Sequence, residues 1–144
     1  MLRRLLDILR ARRDRLFERK DLGRAGERAA ARHLKRKGYR ILGRNLRVAI
    51  GEADILCMAP DRKTIVLVEV KTRLRGSGRS LQGEIIAPEA SVHAQKRRKL
   101  RAVLATLARA NGWLDTPKRI DVVAIEWPAQ GGKPQLRHHE GIPN

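Results

Sequence analysis

Near the middle of the chain an apolar run, Ile65-Val66-Leu67-Val68, leads directly into Glu69-Val70-Lys71. Residues two apart in a strand point to the same side, so Glu69 and Lys71 project together while Val68 and Val70 point the other way. Placing a carboxylate and an ammonium at the end of such a strand is costly unless each is paired, hydrogen-bonded or bound to an ion. Upstream, Gly51-Glu52-Ala53-Asp54-Ile55-Leu56 reads as a second strand with Glu52 and Asp54 on one face and Ala53 and Ile55 on the other. Asp54 and Glu69 converge if the two strands are neighbours. Two carboxylates with open water positions are what a protein ordinarily offers magnesium, and manganese fits as well. Such an ion would neutralise a scissile phosphate and lower the pKa of a bound water, with Lys71 orienting that water or stabilising developing negative charge. The other reading of these residues is a structural ion pair at a sheet edge, and the pattern alone leaves both open.

The elements that must position these side chains are readable around them. Residues 22–37 have a helical pattern with Ala30, Ala31 and Leu34 along one face, Glu27 on that same face, and Gly38 as a C-terminal stop. Tyr39–Val48 and Gly51–Met58 read as two antiparallel strands, and Pro60-Asp61 marks a turn before Thr64. The run from Ile65 is apolar on both faces, as a central strand covered on both sides requires. Residues 73–91, with Gly76, Gly78, Gly83 and Pro88, read as a long mobile loop. Ser91 is placed to cap a helix over Val92–Ala110, with Leu100, Val103, Leu104 and Leu107 on its apolar stripe and Asn111-Gly112 at its end. Ile120–Trp127 reads as another buried strand and Gln135–Glu140 as a weak edge strand. This order gives an α/β sandwich. Residues 1–20 stand apart as a basic amphipathic extension, expected to be an accessory helix, and residues 21–144 as one domain.

Charge narrows the function classes. Lys and Arg number 33 against 15 Asp and Glu, a formal net charge of +18. That excess points to a polyanionic partner, and nucleic acid fits best because many dispersed cations each release counterions from phosphates. Arg73, Arg75, Arg79, Lys96 and Arg97 are the expected nucleic-acid contacts. Cys57 is the one cysteine in the sequence, which leaves no intramolecular disulfide or cysteine-based zinc cluster and suits a reducing cytoplasm. No apolar run reaches the roughly 20 residues of a membrane span, so no stable membrane insertion is expected. The four histidines lack a metal-ligand spacing, Asp121 reads as structural, and Trp113 and Trp127 read as core or edge residues.

Acid, a gap, then acid-x-Lys at a strand end is also a superfamily signature. The chain resembles the PD-(D/E)XK, or restriction-endonuclease-like, superfamily, and within it the YraN-like family of endonuclease-like bacterial proteins. The matching stretches include Gly26-Glu27-Arg28-Ala29-Ala30, Gly38-Tyr39-Arg40-Ile41-Leu42, Arg44-Asn45-Leu46-Arg47, Gly51-Glu52-Ala53-Asp54-Ile55, Val68-Glu69-Val70-Lys71-Thr72-Arg73 and Arg119-Ile120-Asp121-Val122-Val123. The resemblance implies a restriction-endonuclease-like αβββαβ sandwich with a mixed central sheet and an extra N-terminal helix. It also implies Asp54 and Glu69 as metal ligands with the Val70 carbonyl as a third, Lys71 as catalytic and Glu27 as an auxiliary acid.

Glu52 has two readings, a partner that steers Asp54 or Lys71 and a solvated strand-end residue. The expected activity is magnesium- or manganese-dependent hydrolysis of phosphodiester bonds, in DNA ahead of RNA, selective for structure more than for sequence. Paired cuts would need a homodimer. The rival expectations are a non-catalytic nucleic-acid-binding protein with the same fold, and a basic structural protein whose acids are ordinary ion pairs.

Overall fold

The computed structural model describes residues 2–75, 94–128 and 130–142. The elements are α1 (Leu2–Arg36), β1 (Arg40–Val48), β2 (Gly51–Met58), β3 (Ile65–Arg75), α2 (Ala94–Asn111), β4 (Lys118–Pro128) and β5 (Gln135–His139). The strands form one sheet in sequence order. All neighbours are antiparallel except β3 and β4, which run parallel from Ile65↔Lys118 to Arg75↔Pro128. A parallel pair needs a crossover, and α2 lies in it. The α/β class and the mixed sheet are therefore as read from the sequence. Ser91, Arg79 and most of the loop expected over 73–91 lie outside the described residues, while Arg73 and Arg75 belong to β3.

Each face of the sheet carries one helix. Ala29, Ala30, Ala31 and Leu34 of α1 pack with Ile55, Cys57, Val66, Val68, Val123 and Ile125. On the other face Leu100, Val103, Leu104 and Leu107 of α2 pack with Leu56, Ile65, Leu67, Ile120 and Val122. The two central strands therefore alternate between the two cores, and their apolar runs follow from cover on both sides. Cys57 is among these core residues, its thiol donating to the Val66 carbonyl at 3.6 Å. Burial pushes that thiol up to about 12.

Both helices end as the sequence suggests. Gly38, at φ +89°, lets its own N–H reach the Lys35 carbonyl at 3.0 Å and the Tyr39 N–H reach the Leu34 carbonyl at 2.9 Å. Gly112 does the same after α2, with Trp113 N–H on the Ala108 carbonyl at 2.8 Å. These are Schellman closures, in which a left-handed glycine satisfies the last carbonyls. At its other end α1 departs from expectation. The basic segment and the core helix are one continuous helix of 35 residues, so the extra N-terminal helix is an extension of α1, with Leu6, Ile8 and Leu9 exposed.

Gly26 fixes where α1 meets the sheet. A Cβ there would lie 2.0 Å from Thr72 Oγ1 and 3.1 Å from both Thr72 Cβ and Cγ2. Thr72 is β-branched, so turning its side chain exchanges one obstructing group for another. The helix backbone thus rests directly on β3, beside the residues of interest.

A second anchor lies on the α1 face. Asp121 is fully buried and accepts from Arg119 Nε (2.7 Å), Arg119 Nη2 (3.0 Å) and the Gly141 N–H (2.9 Å), with His138 Nε2 at 2.8 Å. Desolvation alone would raise its pKa, but the hydrogen bonds from His138, Arg119 and Gly141 together hold it below the ordinary carboxylate value. Arg119 also donates to Tyr39 Oη at 2.8 Å, and that hydroxyl donates to Glu140 at 3.0 Å. Helix end, β4 and the segment after β5 are joined through one carboxylate. Asp121 is structural, as read.

Two stability outcomes follow. Gly26→Ala should lower stability by about 1–2 kcal/mol despite the better helix propensity of alanine, and Thr72→Ala in the same chain should recover most of the loss. Asp121→Ala should cost about 3–5 kcal/mol, because Arg119 is left partly buried without its partner. Urea unfolding of the four proteins, wild type included, checks both; Gly26→Ala at wild-type stability would show that the helix can lift away freely.

Candidate active site beside the central strand

The β2–β3 ladder runs from Met58↔Ile65 to Ile55↔Val68 and then stops, although β3 continues against β4 as far as Arg75. At the next step Asp54 supplies its side chain in place of backbone, accepting the Val70 N–H on Oδ2 at 2.8 Å. A strand residue presents its N–H and C=O to the same neighbour, so the Val70 carbonyl also faces the opening that β2 leaves.

The departure of β2 has a local cause. Between the pairs Arg44↔Ile55 and Leu46↔Ala53 lie Asn45 and Asp54, and Asn45 has φ +49°. Asparagine tolerates this left-handed conformation better than most residues. The alternation of the hairpin slips there: Ile55 packs on the α1 side, yet Ala53 packs with the α2 core. This corrects the strict alternation expected over Gly51–Leu56, which put Ala53 and Ile55 on one face. Glu52 moves with it. Its side chain is exposed and pairs with Arg47 at 3.2 Å, so the structure gives it the solvated reading and does not bring it to Asp54 or Lys71.

Glu69 is the buried member of the group, its side chain only 7% exposed. Its Oε1 lies 3.3 Å from Lys71 Nζ on its own strand and 3.3 Å from Lys96 Nζ on the first turn of α2. Burial first, and then the charge of Glu69, raise the Asp54 carboxyl from 3.8 to about 6, with the Val70 N–H pulling against both. Glu27 on α1 adds to the rise and Lys96 opposes it. The structure thus brings Asp54, Glu69, Lys71, Glu27 and Lys96 within electrostatic reach, from α1, β2, β3 and α2. Arg73 is exposed further along β3, and Arg97 lies beside Lys96 on α2. Arg79 lies outside the described residues, and of Arg75 only the backbone belongs to them.

Two like charges forced together are the condition a divalent cation relieves. The donors here are the Asp54 and Glu69 carboxylates and the Val70 carbonyl, all oxygen, which suits magnesium or manganese with most positions left to water. Among the described residues, no group of three or more His, Cys, Asp or Glu side chains gathers around one point. Any ion would therefore be held sparsely, within the one or two carboxylates that magnesium commonly takes from protein.

Sequence reasoning missed the direct contact of Lys96 with Glu69, having read that lysine as part of a phosphate-facing surface. Nothing in the local pattern signals it, because the contact depends on how α2 docks. The close approach at Gly26 did leave a signal: glycine inside a helix is unfavourable and calls for a reason.

The model of the uncharacterised protein family UPF0102 matches residues 26–125. A UPF0102 protein of Renibacterium salmoninarum is 38% identical over 123 residues, 85% of this chain and 95% of its own length. One from Anaeromyxobacter dehalogenans is 38% identical over 120 residues (83% and 81%). One from Geobacter metallireducens is 39% identical over 125 residues (87% and 91%).

The raised Asp54 carboxyl sets a pH signature. The folded chain keeps this proton to higher pH than the unfolded chain, so Asp54 lowers stability as pH rises from 3.8 to about 6. Asp54→Asn keeps an oxygen to accept the Val70 N–H. It should be more stable than wild type by about 1–2 kcal/mol at neutral pH without divalent metal, and indistinguishable from it below pH ~3.5. Urea midpoints at the two pH values measure this; equal midpoints at neutral pH would mean that Asp54 carries no burden.

Proposed function

The chain belongs to the uncharacterised protein family UPF0102, and from the site its fold assembles we propose that it is a metal-dependent endonuclease hydrolysing phosphodiester bonds in DNA. The observation that carries this reading is the pairing of Asp54 with Glu69 at the point where β2 leaves β3. Folding sets two carboxylates together there, and burial first, with the charge of Glu69 added to it, pushes Asp54 up to about 6. A purely structural arrangement gains nothing from that conflict. A magnesium or manganese ion would relieve it, held by Asp54, Glu69 and the Val70 carbonyl. When bound, the ion supplies charge neutralisation at the phosphate and a bound water of lowered pKa.

The chain's own groups do the rest. Lys71 projects on the same side of β3 as Glu69, where its ammonium can hold the attacking water or the developing charge on the phosphorane oxygens. Glu27, on α1, adds its charge at Asp54 and acts as an auxiliary acid. Arg73 and Arg97, with the overall charge of +18, hold the backbone of the nucleic acid, and phosphate contacts of this kind position it without reading bases. Substrate choice then rests on shape, which favours branched or otherwise irregular DNA. Such a site cuts one strand, so paired cuts call for two copies of the chain. Among the described residues no helix is long and apolar enough to cross a membrane, and we place the reaction in the cytoplasm.

One observation favours a second reading. Both lysines already hold Glu69 at 3.3 Å, which satisfies that carboxylate without any metal, as in a non-catalytic nucleic-acid-binding protein that keeps the fold.

Purified protein incubated with branched, single-stranded and duplex DNA, in magnesium, manganese or chelator, separates the two. The nuclease reading expects metal-dependent cleavage, strongest on branched DNA, with Asp54→Ala and Lys71→Ala each slower by roughly 100-fold or more. Wild-type binding without metal-dependent cleavage would establish the second reading instead.

A further inference from the structure

Lys96 stands out among the cations of this chain because it turns inward. Its partner, Glu69 Oε1, already has Lys71 Nζ at the same 3.3 Å. One buried carboxylate oxygen thus receives two ammonium groups, from different elements. With Asp54, Glu69 and Glu27 ionised, the two lysines leave the group only one negative charge in excess without a metal.

A divalent ion entering that site would turn the excess positive and crowd a third cation onto a shared oxygen. One lysine must give way, and the two differ in their freedom. Lys71 sits on β3, two residues from Glu69 on the same side and paired to β4 through Lys71↔Ala124. Lys96 reaches in from the first turn of α2, a separate element, and the two side chains are similarly exposed, 41% for Lys96 and 35% for Lys71. Solvent borders both ammonium groups, but Lys71 stays within reach of Glu69 by its place two residues along the same strand, whereas Lys96 meets Glu69 only across the gap between α2 and β3.

We propose that Lys96 is a built-in occupant of the metal position, competing with a divalent cation for Glu69 and yielding that carboxylate when the cation binds. This rests on reading Asp54 and Glu69 as metal ligands, and it revises the assignment of Lys96 as a simple phosphate contact. Once displaced, the ammonium lies beside the site, where a phosphate of the nucleic acid is the available anion. Substrate would then hold Lys96 away from Glu69, and metal and nucleic acid would each strengthen the binding of the other.

The test is Mn2+ titration by calorimetry, without nucleic acid, of wild type, Lys96→Gln and Arg97→Gln. The two variants lose the same charge from neighbouring positions, so a general change in potential affects both alike. Competition at Glu69 predicts that Lys96→Gln binds Mn2+ roughly two- to tenfold more tightly than wild type, and that Arg97→Gln stays close to wild type. Wild-type binding that Lys96→Gln leaves unchanged or weakens, or that Arg97→Gln tightens equally, overturns the competition and leaves the nuclease reading standing. Absence of Mn2+ binding in both wild type and Lys96→Gln overturns the competition together with the metal site beneath it.

Discussion

The Val70 N–H is where this molecule changes from scaffold to site. Up to Val68 the donors that β3 turns toward β2 are answered by another strand, and two cores form on the two faces of a regular sheet. At Val70 the answer comes from the Asp54 carboxylate at 2.8 Å. A strand that kept its ladder would have satisfied the same donor with a carbonyl and closed the gap. Substituting a side chain leaves an opening at the sheet's centre while the backbone donor remains satisfied, so the opening costs little in unpaired polar groups.

That opening concentrates charge from every layer. α1 can bring Glu27 close only because Gly26 lets its backbone rest on Thr72. α2 brings Lys96 from the opposite side, and β3 holds Glu69 and Lys71 in fixed relation through its parallel pairing with β4. The Asp121 cluster does comparable work on the α1 face, binding the end of α1 to β4 and the chain after β5. Asp121 and Asp54 illustrate opposite responses to desolvation. Asp121 is surrounded by donors and held below its ordinary pKa, whereas Asp54 has one backbone donor against two nearby acids and is raised.

Much of this was legible from residue order because it depends on local rules. The limits of β2, Gly51–Met58, coincide with expectation, since turn residues flank an apolar strand. Gly38 and Gly112 marked both helix ends through their left-handed conformation. The pairing of Glu69 and Lys71 followed from period two along a strand that stays regular. Illegible features share a different origin. The alternation of β2 fails opposite Asn45, whose backbone is left-handed on the neighbouring strand, and the pattern of one strand does not contain its partner. Lys96 looked like any cation on a basic helix, since its contact depends on the docking angle of α2. The continuity of α1 was hidden because the polarity changes along it while nothing interrupts the helix.

Cys57 has a bearing on how two such chains could come together. Its thiol lies in the α1-side core, donates to the Val66 carbonyl at 3.6 Å and is pushed up to about 12. At neutral pH almost none of it is thiolate, the form that attacks a disulfide or an oxidant. As the one cysteine in the sequence, it leaves no covalent route for linking copies through sulfur. Any pairing of copies must rest on reversible contacts between like-charged surfaces, and a bound polyanion would lessen the repulsion between them. Assembly would then depend on such a polyanion as much as on the protein.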